Sequence, residues 1–211
     1  TLSRHDDLRI NAGEKIGLVG RNGTGKTTLL NLLAGTDEPD RGVIEWHPSV
    51  DVALLEQEID LSSGQSLLDV AKSGLAHLYA LQKEAVELAD EMSLEQDASL
   101  LKSLQRRYDR IQQELQSRDA YHIDHRVEEV LHGLGFVDEE YDRPLAQFSG
   151  GQQNRAVLAR LLLWAPDLML LDEPTNHLDI AATEWLEDYL SRCRQAILLV
   201  SHDRFFLDRV T

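Results

Sequence analysis

The hydrophobic positions between Ser66 and Leu134 recur at a period near 3.6, which predicts that nearly all of this span is helical. Two stripes with alternating spacings of three and four stand out: Leu78, Leu81, Ala85, Leu88 and Met92, then Leu101, Leu104, Tyr108, Ile111 and Leu115. Two amphipathic helices packed antiparallel would bury both stripes. We therefore expect a helical hairpin at about 75–120, with its connection near Ser93, because Ser93 and Gln96 have the spacing of a capping box.

On both sides of this helical span, short apolar runs alternate with helical patterns. Leu168 to Leu171 and Ala196 to Val200 are wholly apolar, which is typical of strands in a parallel sheet that is covered on both faces. Helices are expected from Ser149 to about Trp164, from Ala181 to Leu190 and after Ser201. Further short strands are predicted at Leu8 to Ile10, Lys15 to Val19, Val43 to Trp46 and Val52 to Glu56.

The predicted fold class is therefore α/β, with a mostly parallel sheet, flanking helices, a small antiparallel β subdomain and a helical subdomain. A length of 211 residues suits one domain that carries a subdomain. We assign residues 1–65 and 165–211 to the core and about 66–164 to the helical subdomain. Both ends of the sequence have the character of a fragment.

The composition narrows the classes of binding partner that the protein could have. Twenty-one Lys and Arg against 37 Asp and Glu give a net charge of −16, which opposes indiscriminate binding to phosphate backbones or anionic lipid. The longest apolar runs are far shorter than the roughly 20 residues of a membrane helix. The single Cys193 cannot form an internal disulfide, and no secretory signal is visible. We expect a cytoplasmic protein.

A Gly-rich segment between a predicted strand and a predicted helix matches G-x-x-x-x-G-K-[ST] without a mismatch. The segment is Gly20, Arg21, Asn22, Gly23, Thr24, Gly25, Lys26 and Thr27. Its glycines allow successive backbone N–H groups to face a phosphate chain. Lys26 would reach the β- and γ-phosphates, the Thr27 hydroxyl would bind Mg²⁺, and Thr28 is a further candidate phosphate ligand. A turn that only connects two elements is the alternative interpretation.

A pair of acidic residues follows the apolar run Leu168 to Leu171. Asp172 would lie at the carboxyl edge of the sheet, where ligands of open α/β folds bind, and is the expected outer partner of Mg²⁺. Glu173 is placed to orient or deprotonate a water for attack on the γ-phosphate. Two solvated carboxylates at a strand end are the simpler alternative.

With these residues the sequence resembles the ABC ATPases. Ser149, Gly150, Gly151 and Gln152 resemble the family's signature motif, and Gln57 resembles the glutamine of its Q-loop. Leu178 and Asp179 resemble its D-loop, and His202 resembles its switch histidine. The resemblance implies binding of ATP and Mg²⁺ and ATP hydrolysis, with Gln57 and His202 assisting Glu173 and with Gln57 also near the metal. It further implies that two such domains sandwich two ATP molecules head to tail, so that the signature faces the partner domain's γ-phosphate. The aromatic residue that stacks on adenine in the family is missing before Leu8.

Two features resemble the ABC-F branch, specifically a first domain of the Uup type. One is the run from Asp172 to Asp179, in which Asn176 and His177 precede Leu178 and Asp179; the other is a helical stretch long enough to hold an additional arm. The resemblance implies a second ABC domain as partner and action on the ribosome or its RNA in translation. An energy-coupling domain of a membrane transporter and a DNA-maintenance ATPase are the alternatives.

The hairpin's own charges leave its partner open. Lys102, Arg106 and Arg110 are spaced by four, which favours a basic strip, yet the hairpin as a whole carries more acidic than basic residues. A solvated face held by ion pairs is the simpler interpretation. A cluster of polar residues, His122, Asp124, His125 and His132, is expected to be helix surface and not a metal site.

Overall fold

The computed structural model describes residues 8–21, 23–55, 64–118 and 120–211. In chain order its strands are β1 (Lys15–Leu18), β2 (Val52–Leu54), β3 (Leu168–Asp172) and β4 (Ala196–Val200). Its α-helices are α1 (Lys26–Ala34), α2 (Leu67–Ser73), α3 (Ala76–Leu94), α4 (Ala98–Ser117), α5 (Ile123–Gly133), α6 (Gly150–Trp164), α7 (Ile180–Arg192) and α8 (Arg204–Val210). Within the described ranges, three short 3₁₀ helices connect some of these elements.

The four described strands form one parallel sheet in the order β1-β4-β3-β2. Strand β4 lies between β1 and β3, and the register places Leu18 and Asp172 on either side of Val200. The parallel sheet and its flanking helices confirm the predicted α/β class. Because parallel strands all end at the same edge, the segments that follow β1, β3 and β4 meet there.

The two faces of the sheet contribute to two hydrophobic clusters. Along β3, Leu168 and Leu170 pack with α1 on one face, whereas Met169 and Leu171 belong to the larger cluster on the other face. Successive side chains of a strand point to opposite faces, so a strand buried on both sides needs an unbroken apolar run. This is why the two wholly apolar runs of the sequence became the central strands.

The helical hairpin is formed by α3 and α4. Leu78, Ala85 and Leu88 of α3 and Leu104, Ile111 and Leu115 of α4 are buried, whereas Leu101 is 37% exposed. The helices are joined by residues 95–97, which agrees with the predicted position. The predicted capping box at Ser93 is wrong, because the Ser93 hydroxyl donates to the carbonyl of Asp90 while Asp97 caps α4 by accepting from the N–H groups of Ser99 and Leu100.

Two predicted strands are not strands in the structure. Residues 8–10 and 43–46 adopt irregular conformations, and in the described part of the chain no strand pairs antiparallel; the one antiparallel bridge joins Ser66 and Pro144. Val43 is 83% exposed, so its apolar side chain gains nothing from a sheet face here. The small antiparallel β subdomain is therefore not formed by the described residues, and β1 and β2 end at Leu18 and Leu54, earlier than predicted.

Glycines allow helices of the helical subdomain to approach their neighbours closely. A Cβ on Gly74, at the end of α2, would collide with the backbone of α6 at Arg160. A Cβ on Gly133, at the end of α5, would collide with the indole of Trp185 in α7. The hairpin α3–α4 lies between α2 and α5 in the chain, so these two close approaches fix the helices on either side of it. Among the described residues, no helix has the length and apolar character needed to cross a membrane.

Candidate nucleotide-binding site

The Gly-rich loop connects β1 to α1 and its backbone requires glycine. Gly23 and Gly25 have φ values of +78° and +93°, in the left-handed region that other residues rarely adopt. Gly25 is the N-cap of α1, and no described side chain accepts a hydrogen bond from the first turn. The first N–H groups of α1 are therefore left for a ligand, which is how helix N-termini bind phosphate. Asn22, predicted to belong to this loop, lies outside the described residues.

The side chains of the loop are held by its own carbonyl groups. The Lys26 Nζ donates to the carbonyls of Gly20 and Arg21 at 2.8 and 3.1 Å, and the Thr24 hydroxyl donates to the Arg21 carbonyl at 2.9 Å. A phosphate chain could take the place of these carbonyls as the acceptor of the lysine protons, with the benefit of its negative charge. The loop therefore has the donors and the shape that a polyphosphate requires.

The predicted metal ligands meet across the sheet. The Thr27 Oγ1 donates to Asp172 Oδ2 at 2.6 Å, although the two residues are 145 positions apart in the chain. A hydroxyl and a carboxylate oxygen next to a phosphate site are the ligands that Mg²⁺ takes in nucleotide-binding proteins. The Thr27 hydroxyl and the Asp172 carboxylate therefore fit Mg²⁺ as ligands. Gln57, the third predicted ligand, lies outside the described residues, and no group of three or more His, Cys, Asp or Glu side chains gathers elsewhere in the described chain.

Glu173 follows Asp172 in a strained conformation. Its φ of +47° is in the left-handed region, and the conformation is stabilised by a hydrogen bond from its N–H to the carbonyl of Val200 at 2.9 Å. Its Oε2 accepts from the backbone N–H of His202 at 3.3 Å, and its Oε1 lies 3.3 Å from the Nε2 of His202. That Oε1 is buried and has no partner in hydrogen-bond geometry among the described residues.

The structure thus brings three of the predicted groups to one edge of the sheet. The Gly-rich loop follows β1, Asp172 ends β3 with Glu173 directly after it, and His202 follows β4. An unpartnered carboxylate oxygen beside a polyphosphate site can orient a water molecule or accept its proton. The resemblance implied that His202 assists Glu173, but spacing alone does not reveal their contact, because 28 residues separate them and only the order of the strands makes them neighbours.

The predicted signature residues lie at the start of α6. Ser149 is the N-cap: its Oγ accepts from the N–H of Gln152 at 3.4 Å, and the Gln152 Oε1 accepts from the N–H and the hydroxyl of Ser149, each at 3.1 Å. This capping box is what the Ser149 to Gln152 spacing favours. Gly150 has nothing within 4 Å of the place where a Cβ would be, so a ligand could approach the backbone closely.

Asp179 is the N-cap of α7, and its Oδ1 accepts from the N–H of Ala182 at 2.8 Å. The segment before it contacts the signature helix, because a Cβ on Gly151 would lie 3.1 Å from the Cβ of His177. His177 has a φ of +69° and is exposed, as is Asn176. The Asn-His pair that distinguishes this run in the sequence therefore lies between Glu173 and the start of α6.

Two further polar residues near the site were not found from the sequence. Asn154 and Arg155, on the first turns of α6, line a cavity of about 60 Å³ together with Asp172, Glu173 and His177. An asparagine and an arginine on an amphipathic helix carry no signal of such a position in the sequence. Only the packing of α6 against the end of β3 reveals it.

The polar residues predicted not to form a metal site are paired with other groups or lie on the surface. Asp124 binds the Lys72 Nζ at 2.9 Å, and His132 Nε2 lies 2.6 Å from Asp138 Oδ1. Burial of Tyr79, which donates to Asp124, raises the pKa of its hydroxyl, and the hydrogen bond from Lys72 lowers the pKa of Asp124. This network joins α2, α3 and α5 at the base of the hairpin.

Comparison with known proteins identifies the family. Residues 4–176 match the family model described as "ABC transporter", which covers most of the chain, and the chain belongs to this family. It is an ABC ATPase domain of the ABC-F-like kind. The "ABC transporter F family member 2" of Arabidopsis thaliana is 39% identical over the whole chain and 31% of the relative's length.

Two proteins with names linked to translation are also similar. The "Energy-dependent translational throttle protein EttA" of Mycobacterium tuberculosis is 36% identical over 97% of this chain and 36% of its own length. A crystal structure of the archaeal ribosome recycling factor aABCE1, in complex with the ribosomal stalk protein aP1, superimposes with a TM-score of 0.64 at 27% identity, covering 96% of this chain and 31% of that one. The chain spans only 31% to 39% of the first curated relatives' lengths.

Proposed function

We propose that this domain binds ATP with Mg²⁺ at the carboxyl edge of its sheet and hydrolyses it. The observation that supports this most is the 2.6 Å hydrogen bond between Thr27 and Asp172, because it joins the phosphate loop to the acidic end of β3. Mg²⁺ would supply charge neutralisation on the β- and γ-phosphate oxygens. Thr27 and Asp172 would hold the ion, and Gln57 is proposed to lie near it.

The protein's own groups bind the phosphates and activate the attacking water. The Lys26 ammonium exchanges the carbonyls of Gly20 and Arg21 for phosphate oxygens, while the N–H groups of the loop and of Lys26 to Thr28 cradle the chain of phosphates. The free Oε1 of Glu173 orients the attacking water and accepts its proton. His202, which touches both carboxylate oxygens, keeps that side chain in place and is close to the reacting phosphate.

A complete site requires a second ABC domain. In our proposal the N–H groups at the start of α6, around Ser149, Gly150 and Gly151, bind the γ-phosphate held by the partner domain, and Gln152 keeps the cap of that helix in place. Asp179, at the start of α7, lies at the same interface. The absence of close contacts at Gly150 supports this, since a phosphate needs access to the backbone there.

We further propose that the whole protein is an ABC-F protein in which ATP turnover changes the pose of the hairpin on the ribosome. The support is the similarity to proteins named for translation and ribosome recycling, together with the α3–α4 hairpin. Lys102, Arg106 and Arg110 are exposed on α4 and are available for phosphate contacts.

The test uses the full-length protein carrying Glu173→Gln, which should bind ATP but not turn it over. In lysate sedimented through a sucrose gradient, this variant should move into ribosomal fractions with ATP and not with ADP. Glu184→Gln, an exposed carboxylate of α7, is the matched control and should behave as the unmodified protein.

Each contrary outcome points to a different revision. Normal turnover by Glu173→Gln would remove that residue from its role. ATP binding without movement into ribosomal fractions would instead refute the translation role. Recovery of the protein in a complex with a polytopic membrane protein would establish the transporter alternative. A salt-sensitive complex with DNA would establish the DNA-maintenance alternative.

A further inference from the structure

The cavity of about 60 Å³ beside Glu173 lies between two parts of the same chain. Asp172, Glu173, Asn176 and His177 line it from the end of β3 and the segment that follows. Asn154, Arg155 and Leu158 line it from α6, the helix that begins at the signature residues. The cavity therefore separates the proposed catalytic carboxylate from the signature helix of its own domain.

Two residues of opposite charge, Glu173 and Arg155, line this cavity, and each has one buried side-chain atom without a hydrogen bond. Glu173 Oε1 and Arg155 Nε are both buried and make no hydrogen bond in the described part of the chain, although His202 Nε2 lies 3.3 Å from that Oε1. Leaving a buried charged group with an unmade hydrogen bond is costly, so native proteins satisfy such atoms through another group or through ordered water. One acceptor and one donor that line the same polar cavity can be satisfied together.

Arg155 is held in one orientation by its other contacts. Its Nη1 donates to the carbonyl of Leu134 at 3.0 Å, and its guanidinium lies over the ring of Phe136 at 5.1 Å from the centroid. Because the guanidinium is planar and rigid, these two contacts also fix the direction of the Nε–H bond. The group on the far side of the cavity, Glu173, is likewise constrained by its backbone and by the N–H of His202.

A cavity of this volume has room for one or a few water molecules, since about 10–15 Å³ of the same measure is enough for one. We propose that Arg155 is a positioning residue for ATP hydrolysis: its Nε–H, through a water molecule in this cavity, fixes the Glu173 carboxylate in its working orientation. The inference rests on the proposed role of Glu173. It ties the orientation of that carboxylate to the position of α6 within one domain.

The kinetic test compares Arg155→Met with Arg160→Met in the full-length protein. Methionine keeps an unbranched apolar stem over Phe136 but removes the Nε–H, and Arg160 lies on the same helix without lining the cavity. The kcat of Arg155→Met should fall by about tenfold or more while the KM for MgATP stays within about twofold, since binding groups are untouched. Arg160→Met should change neither. An unchanged kcat in folded Arg155→Met would overturn the proposal.

A second measurement covers the case in which Arg155→Met folds poorly. Arg155→Lys keeps a cation and a donor for the Leu134 carbonyl, but it lacks the Nε–H and should still lower kcat; full activity of this variant would also overturn the proposal.

A stability cycle examines the coupling without activity. The losses in Tm of Arg155→Lys and Glu173→Gln should sum to more than the loss of the double variant, because either single change already weakens the water-mediated link between the two side chains. Additive losses would mean that the two groups are independent. If Glu173→Gln itself hydrolysed ATP normally, the proposed function would fail, whereas a loss confined to Glu173→Gln would refute only the role of Arg155.

Discussion

The central strands and the helical hairpin bury apolar side chains in different ways. Every residue of β4 is buried, and β3 is buried up to Leu171, so both strands are covered on two faces. The hairpin α3–α4 buries one stripe and leaves Val86 and Leu94 63% and 82% exposed. Asp172 ends β3, and Glu173 and His202 follow β3 and β4, because a rigid support fixes side chains more accurately than a half-buried one; the Gly-rich loop follows β1, which is only partly buried. The hairpin can change its surface without disturbing these residues.

The largest expected effect is on stability at the centre of the sheet. Leu198→Ala removes a side chain that is 1% exposed and should lower the free energy of unfolding by roughly 2–5 kcal/mol. Leu101→Ala, on the hairpin at 37% exposure, should cost under about 0.5 kcal/mol. Urea denaturation measures both. Equal losses would mean that the hairpin is as much a part of the core as β4.

The next effect is on nucleotide affinity. Lys26→Ala removes the loop's ammonium and should weaken MgATP binding by about 10- to 100-fold, as loss of a charge-assisted hydrogen bond does. Lys102→Ala, an exposed lysine of α4, is the matched control and should leave the Kd unchanged. Isothermal titration calorimetry with the full-length protein distinguishes the two. A similar loss in both variants would contradict the assignment of the loop.

A smaller effect, on thermal stability, is expected at the base of the hairpin, where it joins the rest of the domain. Asp124 binds Lys72 at 2.9 Å and accepts from the Tyr79 hydroxyl at 3.3 Å. The hydrogen bond from Lys72 holds the pKa of Asp124 below its usual value, so its contribution is present above pH about 4 and is lost as the pH falls through the lowered pKa. Asp124→Asn should therefore lower Tm by a degree or two at pH 7, about what an exposed ion pair contributes, and leave it unchanged near pH 2. A loss of equal size at both pH values would contradict the ionic origin.

The smallest expected effect is within the hairpin. Arg107 donates to Glu84 Oε1 from both Nε and Nη2 at 2.7 Å, across α3 and α4, with side-chain exposures of 62% and 34%. An exposed pair of this kind contributes about 0.2–1 kcal/mol. A double-mutant cycle of Arg107→Ala and Glu84→Ala should give a coupling energy in this range that falls with added salt. A coupling that salt does not reduce would indicate packing instead of charge.

The sequence predicted an element correctly where a short local pattern of residues was enough to specify it. Strand β3 followed from an unbroken apolar run, and the helix expected from Ser149 to about Trp164 is α6. The Gly-rich loop was found by pattern, and the structure supplies the reason in the φ values of Gly23 and Gly25. The roles assigned to the site residues stay predictions, and for Asn22 and Gln57 the described residues give no position either.

What the sequence missed depends on partners far away in the chain. Val43 has the character of a strand residue, but no described strand lies beside it to accept one. Ser93 had capping spacing, yet the helix began later, at a stronger cap supplied by Asp97. The cavity lined by Arg155 exists only because α6 packs near the end of β3, which no local pattern encodes.

The strand order also sets the order in which the domain can fold. Because β1 pairs with β4, residues near position 15 can join the sheet only after residues near 197 are available to pair with them. The loop after β1 is held in place only once this pairing has formed. Such long-range pairing slows folding, because the entropy of a large loop is lost before its contacts form. During synthesis, therefore, the Gly-rich loop should emerge early but acquire affinity for nucleotide only after β4 has left the exit tunnel, whereas α3 and α4 can form as a local unit well before.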